Sequence, residues 1–144
     1  MKISDMITKV RHLGVIVDDL DSSIELYKKL YDIGDEDVRI VPPPGSAEEK
    51  DTRFAFIPVG GMEFELIHPI SEKFKNMLGN PRPGINHIAF TVTDIEKAVE
   101  QMKSKGVRMG HVTRDGILDM KRSRVAYFNP EDTGGVLLEF VEPK

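Results

Sequence analysis

Apolar and polar positions fall in short runs along this chain, and the runs come in two similar sets. "HLGVIV" (12–17) and "HIAFTV" (87–92) are apolar, β-branched stretches with strand character. Each leads through a polar turn into a segment with helical spacing. Ile24, Leu26, Tyr27 and Leu30 form one apolar face; Ile95, Val99 and Met102 form the other. Ser22 with Glu25, and Thr93 with Glu96, have capping-box spacing, which satisfies free N–H groups at a helix start. Gly34 and Gly106 stand where a left-handed residue ends each helix. Beyond them, "DTRFAFIPV", "GGMEFELIHP", "RSRVAYFNP" and "GGVLLEFVEP" read as strands bounded by Gly or Pro.

The two sets are copies of one plan. Offset by 75 residues without gaps, His12 falls on His87, Val17 on Val92, Asp19 on Asp94, Glu25 on Glu100 and Lys28 on Lys103. "EFELIHP" (63–69) lies on "LLEFVEP" (137–143), which superimposes Glu65 on Glu139. Each half therefore predicts a strand, a helix and about three further strands. The expected class is α+β: a single domain over 1–144, made of two modules at about 8–69 and 84–143. "PPPGSAEEK" (42–50) reads as a loop, and 70–83 as a helical linker whose short helix ends near Gly79. Two copies are too few for a solenoid. A pseudo-twofold arrangement is expected, in which each half completes the other's core.

Composition narrows the setting. The 144 residues are 40% hydrophobic and 31% charged, the balance of an ordinary globular domain. A net charge of −4 offers no electrostatic footprint for nucleic acid. No stretch approaches the eighteen or so apolar residues that a membrane helix needs, and "MKISDMITKV" lacks a signal-peptide core. The absence of cysteine excludes disulfides and thiolate metal sites and fits a reducing compartment. A cytoplasmic protein with no nucleic-acid or membrane partner is expected.

The repeat also places chemistry. Fifty-three residues separate His12 from Glu65, and fifty-two separate His87 from Glu139. Each half thus supplies a His on its first strand and a Glu on its last. If a local twofold relates the halves, the four side chains converge on one point. Two imidazoles and two carboxylates form a mixed N/O donor set for a divalent cation such as Co, Ni, Mn, Zn or Fe(II). An octahedral shell then leaves two positions for water or substrate. Both glutamates sit inside apolar runs, "FELI" and "LEFV", where a buried carboxylate without a partner is costly. Against this, a strand His is commonly a satisfied half-buried side chain, and duplication reproduces matched residues without any metal. Spacing alone leaves both readings open.

"FELIHPISEKFKNMLGNPRPGINHIAFTV" and "FNPEDTGGVLLEFVEP" carry a resemblance that spans almost the whole chain. The chain resembles the vicinal oxygen chelate (glyoxalase/bleomycin resistance/dioxygenase) superfamily, and within it the methylmalonyl-CoA epimerase family. The second stretch is similar to that family's "HP-x-x-x-GGVL-[IV]-E" ending. The resemblance implies paired βαβββ modules whose mixed β-sheet forms a cup, with helices outside, around one divalent metal ion (Co, Ni, Zn, Mn or Mg). By position, the ligands fall on His12, Glu65, His87 and Glu139. The implied activity is interconversion of (2R)- and (2S)-methylmalonyl-CoA. A proton is removed α to the thioester, and the metal stabilises the enolate. Inversion needs an acid/base group on each face of the carbon. The family's two glutamates map onto Glu139 and onto Glu49 of "AEEK", with Glu48 as the neighbouring choice. Read without the resemblance, that loop is solvated surface. The implied partners are an acyl-CoA thioester substrate and a second copy of the chain, as a homodimer.

Three stretches depart from the family pattern. Asn86–His87 stands where His-His is usual, "EKDT" replaces a loop glycine, and "GILDMKRSRVAYFNP" replaces a "GAHGKP"-like pocket segment. Lys121, Arg122 and Arg124 in the last stretch are either anion-binding groups or surface charge. Two other functions share the fold. Glyoxalase I (lactoylglutathione lyase) also uses a His/Glu/His/Glu site, and a non-catalytic small-molecule-binding protein would need no matched ligands. An Fe(II) oxygenase normally uses two His and one carboxylate, so Glu65 counts against it.

Overall fold

The structure, a computed structural model, describes residues 1–79 and 82–144, and at Glu48 the backbone without the side chain. The chain is α+β, as expected. It runs α1 (Ile3–Met6), β1 (Ile7–Ile16), α2 (Leu20–Tyr31), β2 (Arg39–Val41), β3 (Thr52–Val59) and β4 (Met62–Pro69). It continues α3 (Glu72–Met77), β5 (Gly84–Val92), α4 (Ile95–Ser104), β6 (Leu118–Asp119), β7 (Ser123–Phe128) and β8 (Leu137–Pro143). Two compact units result: His12–Asn86, and Met1–Arg11 together with His87–Lys144. Strand β1 contributes to both, so the N-terminal eleven residues fold with the second half of the chain.

Within His12–Asn86 the strand order is β2-β3-β4-β1. β3 is antiparallel to both neighbours, and β4 is parallel to β1. The β3–β4 hairpin turns at Gly60 and Gly61, with φ of 61° and 82°. A two-residue turn with both central φ positive suits the twist of the strands, and glycine enters it without a Cβ penalty. Val15, Leu20, Ile24, Ala55, Ile57 and Leu66 form the core between sheet and α2.

The other unit repeats the plan in the order β6-β7-β8-β5. β7 is antiparallel to its neighbours and β8 parallel to β5. Ile7–Arg11 run beside β5: the Thr93 N–H donates to the Met6 carbonyl at 2.9 Å, and Thr8 Oγ1 to the Thr91 carbonyl at 3.3 Å. Met6, Val92, Ile95, Ala98, Val99, Met102, Ala126, Phe128 and Phe140 make the core. The Phe128 and Phe140 rings meet edge to face at 5.0 Å. In each unit the edge strand is a short one, β2 or β6, which the apolar pattern had not separated from its surroundings.

Several local expectations change. The helix caps are Asp19 and Asp94, not Ser22 and Thr93: each carboxylate accepts from the backbone N–H three residues on, Ser22 and Lys97, at 3.1 Å. A charged acceptor also meets the positive end of the helix dipole, which a hydroxyl does not exploit. The inward face of α2 is Leu20, Ile24 and Tyr27, while Leu26 and Leu30 are 50% and 57% exposed. Spacing of i, i+4, i+7 from the capped start fixes which face is buried. Asp32, at φ 55°, ends α2 in the left-handed conformation, a role expected of Gly34. Aspartate tolerates that region better than most side chains. Gly106 (φ 83°) follows α4, and Gly79 (φ 75°) follows α3, as the sequence predicts. The 42–50 loop contains a 3₁₀ turn at Ala47–Lys50. Among the described residues no helix is long and apolar enough to cross a membrane.

Two stability measurements check this packing. Asp94→Ala should lower the unfolding free energy in urea by about 1 kcal/mol, whereas Ser22→Ala should change it by less than about 0.5 kcal/mol. Phe140→Ala, which removes a fully buried ring, should cost about 3–5 kcal/mol in the same assay.

Candidate metal centre

Parallel pairing of the first and last strand of each unit sets the chemistry. Side chains on a strand alternate, so residues two apart share a face, as do directly paired residues on neighbouring strands. In one unit Gly14 pairs with Glu65, which puts Glu65 on the face of His12. In the other Ala89 pairs with Glu139, which puts Glu139 on the face of His87. The registers are equivalent. The single-residue difference in spacing is therefore taken up in the connections.

The resulting geometries agree closely. His12 Nε2 lies 3.9 Å from Glu65 Oε1, with the side chains 13% and 14% exposed. His87 Nε2 lies 3.6 Å from Glu139 Oε1, with the side chains 3% and 5% exposed. Small residues, Gly14 and Ala89, leave one side of each carboxylate uncrowded. On the other side each glutamate pairs with an aromatic residue, Phe56 or Tyr127. The Tyr127 ring meets the His87 ring edge-on at 6.2 Å. The Arg39 guanidinium caps the Phe56 ring at 4.3 Å, and its Nη2 lies 3.5 Å from Glu63. Sequence reasoning missed the two aromatics. Strand alternation places them opposite the glutamates, yet an aromatic in a strand reads first as core.

The donor chemistry fits a divalent cation. Each pair offers one imidazole nitrogen and one carboxylate oxygen, which suits borderline and hard divalent ions. Burial of a carboxylate costs free energy that a divalent cation beside it offsets. Glu139, 4% exposed in an apolar strand, makes the demand strongest.

The remaining candidates lie elsewhere. Glu49 sits on the Ala47–Lys50 turn, where its Oε2 accepts from the Gly45 N–H at 2.6 Å. Its Oε1 lies 3.6 Å from Arg53 Nε, and Arg53 Nη2 lies 3.5 Å from Asp21 on α2. The loop carboxylate is thus fastened to β3 and, through Arg53, to α2. The Glu48 side chain is outside the described residues. Lys121 and Arg122 are exposed on the bend between β6 and β7. Arg124 donates to Glu96 Oε1 at 2.7 Å and lies 3.6 Å from Glu142, so its charge is engaged within its own unit.

Known proteins share this chain's pattern. Residues 11–127 match the family described as the Glyoxalase/Bleomycin resistance protein/Dioxygenase superfamily. A mitochondrial methylmalonyl-CoA epimerase of Dictyostelium discoideum is 29% identical over 139 residues, which is 94% of this chain and 79% of that protein. The crystal structure of methylmalonyl-CoA epimerase from Mycobacterium tuberculosis is 28% identical with a TM-score of 0.71, over 100% of this chain and 93% of that one. A variant of the Streptomyces coelicolor methylmalonyl-CoA epimerase, in complex with 2-nitronate-propionyl-CoA, is 26% identical with a TM-score of 0.70, over 95% of each chain. With the match covering most of the chain, including His12, Glu65 and His87, this chain belongs to the glyoxalase/bleomycin resistance protein/dioxygenase superfamily.

Proposed function

We propose that this chain is a metal-dependent epimerase of a malonyl-type acyl-CoA thioester, with methylmalonyl-CoA as its substrate. The observation that carries the proposal is the matched pair of His/Glu contacts, 3.9 Å and 3.6 Å, set by the same strand register in both units. Support also comes from relatives named as methylmalonyl-CoA epimerases and from a structural neighbour in complex with an acyl-CoA analogue.

In this proposal His12, Glu65, His87 and Glu139 hold one divalent cation. When bound, the ion supplies positive charge beside the thioester oxygen as the α-proton leaves. The chain's own groups move the proton. Glu139 is assigned to one face of the α-carbon and Glu49 to the other, with Glu48 as the alternative to Glu49. One carboxylate accepts the α-proton while the C–H electron pair shifts toward the thioester oxygen. The opposite carboxylic acid then returns a proton to the other face, and the configuration inverts. The Gly45 N–H and Arg53 hold the Glu49 carboxylate in the structure.

Two measurements test the proposal. Cobalt(II) at one hundred times its dissociation constant should stabilise the chain by about 2.7 kcal/mol in a thermal or urea assay. His12→Ala, Glu65→Ala and His87→Ala should each lose that gain, and no stabilisation of the parent chain would defeat the metal assignment. Metal-loaded protein in D₂O should exchange the α-proton of methylmalonyl-CoA, read by NMR, and EDTA should stop it. Glu139→Gln should slow exchange by about 10²–10⁴-fold, as should substitution of whichever loop glutamate serves the opposite face. Turnover of the methylglyoxal–glutathione hemithioacetal, without exchange in the CoA ester, would assign the chain to glyoxalase chemistry instead.

A further inference from the structure

Strand β7 has β8 along one edge, but on the other β6 is only two residues long and reaches no further than Leu118 opposite Val125. Two residues on, at Tyr127, the ladder is replaced by a side chain. The Tyr127 N–H donates to Thr113 Oγ1 at 2.8 Å, and the same hydroxyl donates to the Tyr127 carbonyl at 3.0 Å. The Gly110 N–H donates to that carbonyl as well, at 2.6 Å. Gly110 lies so close that a Cβ there would meet the Tyr127 and Phe128 carbonyl carbons at 3.1 and 3.2 Å. Thr113 is 3% exposed.

A hydroxyl both donates and accepts, so one threonine can close both backbone groups of a strand residue. Valine has the same shape and can do neither. What the clasp holds matters: Tyr127 pairs with Glu139 on β8, and its ring packs edge-on against His87 at 6.2 Å. Clasp, tyrosine, imidazole and carboxylate all belong to one compact unit. They form a continuous chain of contacts that ends on the His87–Glu139 pair.

We infer that Thr113 is a positioning residue for the metal centre: by clasping the Tyr127 backbone it holds the Tyr127 ring against His87 and so fixes the orientation of that imidazole. The inference rests on the proposed role of His87 and Glu139 as metal ligands.

The test compares Thr113→Val, Thr113→Ser, Tyr127→Ala and the Thr113→Val/Tyr127→Ala double variant of the full chain. Two readouts are used: the NMR cross-peak between the Tyr127 ring and the His87 imidazole without metal, and cobalt(II) affinity by absorbance titration. Thr113→Val should lose the cross-peak and bind cobalt on the order of tenfold more weakly, the scale of losses when a ligand's supporting contact is removed. Thr113→Ser should keep both. In the Tyr127→Ala background, Thr113→Val should weaken cobalt binding no further, because the two act along one path. Unchanged affinity and cross-peak in Thr113→Val, or an undiminished loss in the Tyr127→Ala background, overturns the inference. Should Thr113→Val not fold, Thr113→Ser decides: a lost cross-peak or weakened affinity there overturns it equally. A parent chain that takes up no cobalt removes the metal proposal and this role with it. A parent chain that binds cobalt, with Thr113→Val unaffected, removes this role alone.

Discussion

A carboxylate buried inside an apolar strand is the constraint on which the rest of this structure depends. Glu65 and Glu139 each occupy the middle of a last strand whose neighbours are leucines, isoleucines, phenylalanines and valines. Desolvating a charge there is unfavourable unless polar or charged groups stand beside it. Parallel pairing answers the need in the same way twice. It sets each glutamate across from a residue too small to crowd it, and within 4 Å of a histidine on the adjoining strand. A slip of one residue would turn the carboxylate to the opposite face of the sheet. The hairpin at Gly60–Gly61 and the pairing of Phe56 and Tyr127 with the glutamates hold the register against that slip.

The two pairs are not equal in their surroundings. His87 and Glu139 are almost wholly enclosed, whereas His12 and Glu65 keep a limited solvent contact. Water screens the first unit's carboxylate in part, so its demand for a positive partner is smaller. The enclosed pair also has the more elaborate support: the Tyr127 ring, and behind it Thr113 and Gly110. This fits a division of labour in which the carboxylate asked to exchange a proton, Glu139 in our proposal, is the better buried one. Low local dielectric strengthens every interaction it makes with a charge.

Much of this was legible in the sequence because strand chemistry has a period of two and leaves a pattern. The 75-residue offset exposed His12 with His87, and the apolar context of "FELI" and "LEFV" marked Glu65 and Glu139 as anomalies. What escaped was decided by local competition or by contacts distant in sequence. The Asp19/Asp94 identity was visible as repetition, but its meaning as a cap depended on where the helix began, and Ser22 and Thr93 offered rival starts. Leu26 and Leu30 looked inward until that start fixed the phase of the helix. Thr113 lies in a stretch with no periodicity, and only its proximity to Tyr127, fourteen residues away, gives it a role. No single-sequence pattern encodes such a contact.

The stretch "GILDMKRSR", which departs from the family pattern, lies outside the four strands that carry the His/Glu pairs. Three cations there invite an anion, yet the fold already commits one of them. Arg124 lies between Glu96 and Glu142, and Glu142 in turn accepts from the Ile95 N–H at the start of α4. Removing Arg124 from that arrangement to bind a phosphate would leave two carboxylates facing each other across a helix start, one of them needed there as an acceptor. Lys121 and Arg122, by contrast, are exposed on the bend between β6 and β7. The His/Glu pairs sit on paired strands, whereas Lys121 and Arg122 sit on a short bend after β6. Substitutions on that bend leave intact the strand register on which the His/Glu pairs depend.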